Sequence, residues 1–491
     1  MQIDVSWFEW LPWVIMLPLV TAIFCFTVKH IWILRAASLF SSLLLAIYTC
    51  AIAYNITVLE TRQFAYELGG WAAPLGIGLV LAPLSALLLA MTAIIALAIS
   101  FYASGYFSNQ QVERRFWSLW WLLLTSLYGI FMASDIFNIY VMLELMGLSA
   151  VGLISLQKGI ETLKAAYQYL LVGLFGSLLY LLGVALLYRE YAVLDIALLT
   201  DMMTNSALSQ FALLFITLGL LLKTALFPLH FWLPAAHSSA PAPVSAALSG
   251  IVVKATYFLL FQFWFVMMTP VITYSATVFM GLLGMMAVVW GSWQAFRSRR
   301  LKLLVAYSTV AQLGYLLILF PLYFSSPELA KPAMLYFVIA HAFAKSAMFM
   351  AVGSIQKIAG FDDIHKLSGI SAALPVSTFT FAIASASLIG LPPSGGFIAK
   401  WLILSSAVNA DQWAWIVVIL TGGLLAAVYL FRVLNQFFTT PNSQFVVISV
   451  RGADFRTYAA LALALLTIAL GLNALWLFDA LNPVVILRQG V

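Results

Sequence analysis

Fourteen apolar runs follow one another along the chain, near 8–28, 31–54, 78–103, 116–134, 136–156, 165–188, 208–228, 239–267, 271–296, 301–324, 332–357, 374–406, 413–436 and 457–478. Each is close to the roughly twenty residues that a helix needs to cross bilayer hydrocarbon. Backbone groups in hydrocarbon must be bonded internally, so runs of this length read as helices. The expected fold class is an all-α polytopic membrane protein with about 14 transmembrane helices. Composition agrees: 64% of residues are hydrophobic and 8% charged, where soluble domains are nearer about a quarter charged. The connections are short, and none would hold a soluble catalytic domain.

The start, MQIDVSWFEWLPW, is acidic and aromatic, and no small-residue cleavage pattern follows. It is therefore expected to be a retained helix rather than a cleaved leader. Cys25 and Cys50 lie inside apolar runs without metal-ligand spacing and read as buried, inert thiols. Trp7, Trp10, Trp13, Trp117, Trp120, Trp413 and Trp415 at helix ends read as interface anchors.

The net charge of +6 is a sidedness signal rather than a nucleic-acid surface. Loops 1–2, 3–4, 5–6, 9–10, 11–12 and 13–14 hold fifteen Lys and Arg, Lys302 among them. The other side holds four: Arg62, Arg189, Lys331 and Arg488. By the positive-inside rule the basic loops face the cytoplasm of a prokaryotic cell (inner) membrane, and both termini lie outside.

Two runs are interrupted in the same style. The seventh continues into FPLHFWLPAAHSSAPAPVSA, where Pro228, Pro234, Pro241 and Pro243 exclude a regular helix. The twelfth contains LIGLPPSGGFIAKW, with Pro392, Pro393, Gly395 and Gly396. Broken helices in corresponding places suggest inverted repeats. The expected organisation is N-terminal helices 1–3 (1–110), a first five-helix repeat (111–268), a second (269–438), and a C-terminal helix 14 (439–491). Outside these, 55–77 reads either as a short hairpin or as an irregular loop, and 437–455 carries a β-prone run.

Five charges fall inside apolar runs: Glu144, Lys223, Lys254, Lys345 and Lys400. Each costs at least roughly 2.5–3.5 kcal/mol on insertion scales, so such groups usually face a protein interior or hydrated path and mark function. Glu144 is either an acid switched by a partner that moves or a protonated structural group. Lys223, just before the first break, is either that partner or half of a static ion pair, which would add little net stability. Lys254 lies at mid-span. His341 and Lys345 are four residues apart and share a helix face, giving a two-member relay, or else a core histidine beside an amine. Lys400 follows the second break. Together these would form one polar axis, with Ser245, Ser249, Tyr307, Ser308, Gln312 and Ser346 able to hold water between them. His230 and His237 border the first break and are candidates for proton uptake from the cytoplasm, or for loop capping. No nucleotide loop, CxxC or haem-ligand pair is present, so no cofactor and no metal is expected in this chain.

The stretches YVMLELMGLSA, LLKTALFPLHFWLPAAHSSAPAPVSAALSGIVVKATYF, LLVAYSTVAQLGYLLI, VIAHAFAKSAMFM and LIGLPPSGGFIAKWLIL cover about 130–406 in order. They resemble the antiporter-like membrane subunits shared by multi-subunit Mrp cation/proton antiporters, respiratory complex I and membrane-bound hydrogenases. The resemblance implies fourteen helices with inverted repeats. It also implies a Glu144–Lys223 pair coupled to Lys254 and Lys400, and a relay through His341 and Lys345. Lysine at position 400, the FDDIHKLSGI loop and the end of the chain soon after helix 14 point to the D-type subunit of Mrp antiporters. Ala235 departs from the complex I pattern, which often has an acid there.

The expected function is proton translocation along this Glu/Lys/His axis in a multi-subunit Na⁺/H⁺ antiporter complex. The partners would be other membrane subunits, the lipid bilayer, protons and Na⁺, with no nucleic acid. The alternatives are a proton-pumping subunit of a redox-driven complex (complex I-like or a hydrogenase) and a membrane subunit of a carbon-uptake complex. A stand-alone permease fits least, because the axis is all ionisable and offers no substrate cavity.

Overall fold

The computed structural model describes residues 9–58, 64–157, 159–439 and 455–474. Helices α1 (Trp13–Thr27), α2 (Ile31–Val58), α3 (Pro83–Ala103), α4 (Gln110–Met132), α5 (Ile136–Ile154) and α6 (Ile160–Tyr191) come first. Helices α7 (Ala207–Thr224), α8 (Ala242–Met267, with π-helical turns), α9 (Tyr274–Arg297), α10 (Leu301–Ser325) and α11 (Pro327–Ala359) follow. Then come α12 in two pieces (Pro375–Ile389 and Gly395–Asn409), α13 (Trp413–Phe438) and α14 (Thr457–Leu472). Among the described residues ten helices are long and apolar enough to cross a membrane; α4 is long enough but less apolar, and α1, α14 and each piece of α12 are shorter. The chain is a mostly helical, multi-pass membrane protein.

Side chains fix where these helices start. Asn109 accepts from the Gln111 and Val112 amides, Asp135 from Phe137 and Asn138, and Ser394 from Phe397, so each caps the helix that follows. Pro327 opens α11 where its missing N–H is not needed, and Gly360 closes it at φ 78°. Burial orders the bundle: the apolar central spans of α8 and α11 are wholly enclosed, whereas only about a third of those of α6 and α13 is buried. Helix α11 packs against α10, α14, α3 and both pieces of α12. It is the central post.

Several expectations are corrected. Trp117 and Trp120 are completely buried, because their indoles donate to Glu113 and Ser100 inside the bundle, and Trp415 is buried too. Trp10, Trp13 and Trp413 are exposed, as anchors would be, while Trp7 lies outside the described residues. Cys25 is buried but Cys50 is partly exposed. Of the two readings of 55–77 the hairpin is found, extending past that stretch: Phe64–Glu67 (β1) pairs antiparallel with Gly78–Leu81 (β2), and the second strand comes from residues read as the start of the third helix. Most of 437–455 lies outside the described residues, as do Arg62, Lys158, Arg451 and Arg488.

One ion pair ties the N-terminal helices to the rest. Arg35 meets Glu113 in two bonds of 2.7 Å each, and Glu113 also accepts from Trp117. The carboxylate side chain is 1% exposed and the guanidinium 19%. Arg35→Ala strands a buried carboxylate and should destabilise the protein by about 3–5 kcal/mol. Glu113→Gln leaves a guanidinium within reach of the surface and should cost less. Thermal unfolding of the detergent-purified protein tests the order.

Candidate functional site

Glu144 sits halfway along α5, one turn from the close approach of α6 and α7. Those two helices meet through Gly176 and Gly219, where any added side-chain carbon would strike opposing backbone. Lys223 Nζ of α7 lies 3.5 Å from Glu144 Oε1 of α5. Ser177 of α6 donates to the same oxygen, and Lys223 also donates to the Leu143 carbonyl at 3.4 Å. The lysine side chain is 4% exposed and the glutamate 23%. The pair therefore stands on the flank of the bundle, with its acid facing outward, and not at the centre of an axis.

The first break begins directly after Lys223. Thr224 ends α7, Ala225 takes a left-handed φ of 57°, and the chain turns before the short helix Leu233–Ser239. Trp232 pins the turn by donating to the Leu222 carbonyl at 2.9 Å. His230 stacks on Phe227 and His237 on Phe349, both buried. Neither nitrogen of His237 has a hydrogen-bond partner among the described residues. Instead His237 feels the charges of Lys345, Lys302 and Lys254. It sits inside the amine cluster, whereas sequence reasoning set it at a cytoplasmic mouth.

The remaining amines are held by main-chain carbonyls. Lys254 of α8 donates to the Ser249 carbonyl, inside the π-helical turn Leu248–Val252. Lys345 of α11 donates to the Val305 carbonyl at 3.0 Å and to the Ser308 hydroxyl. Lys400 donates to the carbonyls of Leu388 and Ile389 at 2.8 and 2.9 Å, and lies 4.8 Å from the Tyr315 ring centroid. His341 stacks on Phe337 within electrostatic reach of Lys254, Lys345 and Lys400, and neither of its nitrogens has a partner among the described residues. Of the residues suggested as water holders, Ser245, Ser249, Ser308, Gln312 and Ser346 are buried in this region, while Tyr307 is half-buried.

Sequence reasoning missed one member. Lys302, counted with the loops, is buried at the start of α10 and donates to the Ala240 carbonyl at the first break. The loop acid Asp362 holds that helix start, accepting from the Lys302 amide at 3.0 Å and from Arg300 at 3.2 Å. Burial pushes the Asp362 carboxyl above its usual range, against these bonds. The usable signal was position, since Lys302 is the second residue of an apolar run.

Among the described residues, Lys223 alone of these buried lysines has a carboxylate within salt-bridge distance. No cluster of three His, Cys, Asp or Glu suited to a metal ion occurs there either. The arrangement offers a carboxylate–amine pair at one side and four amines and two imidazoles beyond it, groups that hold or pass a proton and do little else. A hydrogen bond to a charged group contributes about 1.5–3 kcal/mol. Ser177→Ala should therefore lower thermal stability by that order, and Ser177→Thr, which keeps the hydroxyl, by much less.

The pattern of a family described as "NADH:quinone oxidoreductase/Mrp antiporter, TM" matches residues 133–426, which include every group above. The chain is 33% identical over 392 residues to NADH-quinone oxidoreductase subunit N of Desulforudis audaxviator, covering 79% of this chain and 77% of that one. It is 26% identical over 469 residues to the D subunit of the Na(+)/H(+) antiporter of Bacillus subtilis, covering 94% and 93%. A chain in the Mrp complex of a Dietzia species superposes with a TM-score of 0.87 over 96% of this chain and 97% of that one, at 22% identity, and so shares its fold. This chain belongs to the NADH:quinone oxidoreductase/Mrp antiporter transmembrane family.

Proposed function

We propose that this chain is the proton-translocating D-type member of a multi-subunit Na⁺/H⁺ antiporter in a prokaryotic cell membrane. It would cross the membrane fourteen times, with inverted repeats at 111–268 and 269–438 and both termini outside. The observation that carries the reading is the Glu144–Lys223 pair, among the described residues the one acid–amine contact on a path otherwise made of amines and imidazoles. Near full-length similarity to a relative named as the D subunit of such an antiporter supports it. In this reading, movement of Glu144 away from Lys223 frees the Lys223 proton. That proton then passes by way of Lys254, His341 and Lys345 to Lys400, with His237 and Lys302 serving the side of the basic loops.

A second reading has its own support: the relative named as a component of NADH-quinone oxidoreductase matches at 33% identity. The same groups would then pump protons driven by a redox partner. Purification of the intact complex separates the two, since flavin or iron–sulfur subunits would accompany the chain only in the second.

Lys223→Ala, expressed with the complete complex in a Na⁺-sensitive host, should abolish salt tolerance. It should also reduce Na⁺-driven ΔpH in membrane vesicles to the level of vesicles lacking the complex. Lys223→Arg should fail as well, because a guanidinium keeps its charge but does not release a proton. Wild-type exchange in either variant would end the proposal.

A further inference from the structure

At the end of the bundle away from the basic loops lies a cavity of about 450 Å³. It is walled by the outer ends of α3, α4, α8, α10 and α11 and by the segment 195–201. Its rim carries the exposed Asp201 and Lys331, and its wall carries Asp195 and Gln262. Ser134, 7% exposed, is also a lining residue, and its hydroxyl, packed against Gly78, has no hydrogen-bond partner among the described residues. A cavity of this volume with charged and amide side chains on its wall has room and partners for water.

The floor of the cavity includes Leu84, Phe258 and Phe261. These three residues also line a second, smaller space of about 10 Å³ with an apolar lining, whose wall includes Lys254. Phe258 stands one helical turn beyond Lys254 on α8, and Gln262 a turn further, so the amine and the cavity are separated by one layer of apolar side chains. Both ends of this stretch of α8 are π-helical, Leu248–Val252 and Phe263–Met267. Such turns allow a helix to change register locally.

We infer that this cavity is an aqueous vestibule through which Lys254 exchanges protons with the face opposite the basic loops, gated by Leu84, Phe258 and Phe261. This builds on the function proposed above and adds a second point of access, midway along the path rather than at its Lys400 end. When the apolar layer parts, the Lys254 ammonium passes a proton to vestibule water, leaving a neutral amine and a hydronium ion. The reverse step recharges it. The ligand class is water with its excess proton, and the two carboxylates Asp195 and Asp201 outnumber the single Lys331 among the lining charges.

The test uses Gln262→Cys in a Cys25→Ser, Cys50→Ser background, in sided vesicles carrying the whole complex. A membrane-impermeant trimethylammonium methanethiosulfonate is added from one side at a time. Added on the face away from the basic loops, it should label the cysteine and slow exchange about tenfold relative to the same variant unlabelled. That is the effect of one fixed positive charge roughly 12 Å from the amine at an effective dielectric of about 20. Leu75→Cys, at a strongly exposed position on the same face, verifies that the reagent arrives. Thr200→Cys, also in the vestibule wall, gives an independent reading. Labelling without slowing, labelling only from the basic-loop side, or no labelling where Leu75→Cys reacts would each overturn the inference. The unlabelled variant reports whether the complex transports at all, so failure of the vestibule is read separately from failure of the antiporter reading.

Discussion

A lysine buried among helices has three N–H groups and no water to receive them, and the protein is organised around supplying acceptors. In a regular helix every carbonyl is already bonded, except the last four. This chain releases carbonyls by breaking helices beside Lys254, Lys302 and Lys400, whereas Lys223 and Lys345 use carbonyls of unbroken helices. The first piece of α12 ends at Ile389, and the carbonyls of Leu388 and Ile389 take Lys400. The gap between Ser239 and Ala242 leaves the Ala240 carbonyl to Lys302, and the π-helical turn at Leu248–Val252 turns the Ser249 carbonyl to Lys254. Carbonyl ends of helices also favour a cation. The Pro- and Gly-rich interruptions and the buried amines are two halves of one arrangement.

Glu144 is solved differently. It receives a hydroxyl from Ser177 and an ammonium from Lys223, and it stays at the edge of the bundle. Two glycines set the spacing of α6, which carries Ser177, and α7, which carries Lys223. Glu144 stands on α5, so a small shift of α5 against these two would break the pair, which suits a contact that must open and close. The carbonyl-held amines need no such freedom in their partners.

The helical class, the two breaks and the charges buried within the bundle were legible because each has a local signature: a run of apolar residues, a Pro–Gly cluster, a charge within such a run. What was not legible depended on neighbours far along the chain. Lys302 reads as a loop charge until Asp362 and Ala240 are seen beside it. Trp117 and Trp120 read as interface anchors because nothing near them announces Glu113 and Ser100 as acceptors for their indoles. The hairpin partner at Gly78–Leu81 hides in an apolar run, because strand and helix share that composition over four residues. The outward position of Glu144 follows from which face α6 covers, and no single-helix pattern encodes it.

The burial of the central parts of α8 and α11 bears on how the polypeptide reaches its final state. Alone in lipid, α11 would hold the Lys345 ammonium away from its acceptors on α10, and α8 would hold the Lys254 charge against acyl chains with only its own carbonyl as partner, so neither is suited to wait there as a separate span. Lys254 finds its acceptor within its own helix, but Lys345 depends on α10, made earlier in the chain. Biogenesis therefore favours release of these segments from the insertion machinery in the company of their neighbours, with the ribosome's order of synthesis supplying the hosts before the guest.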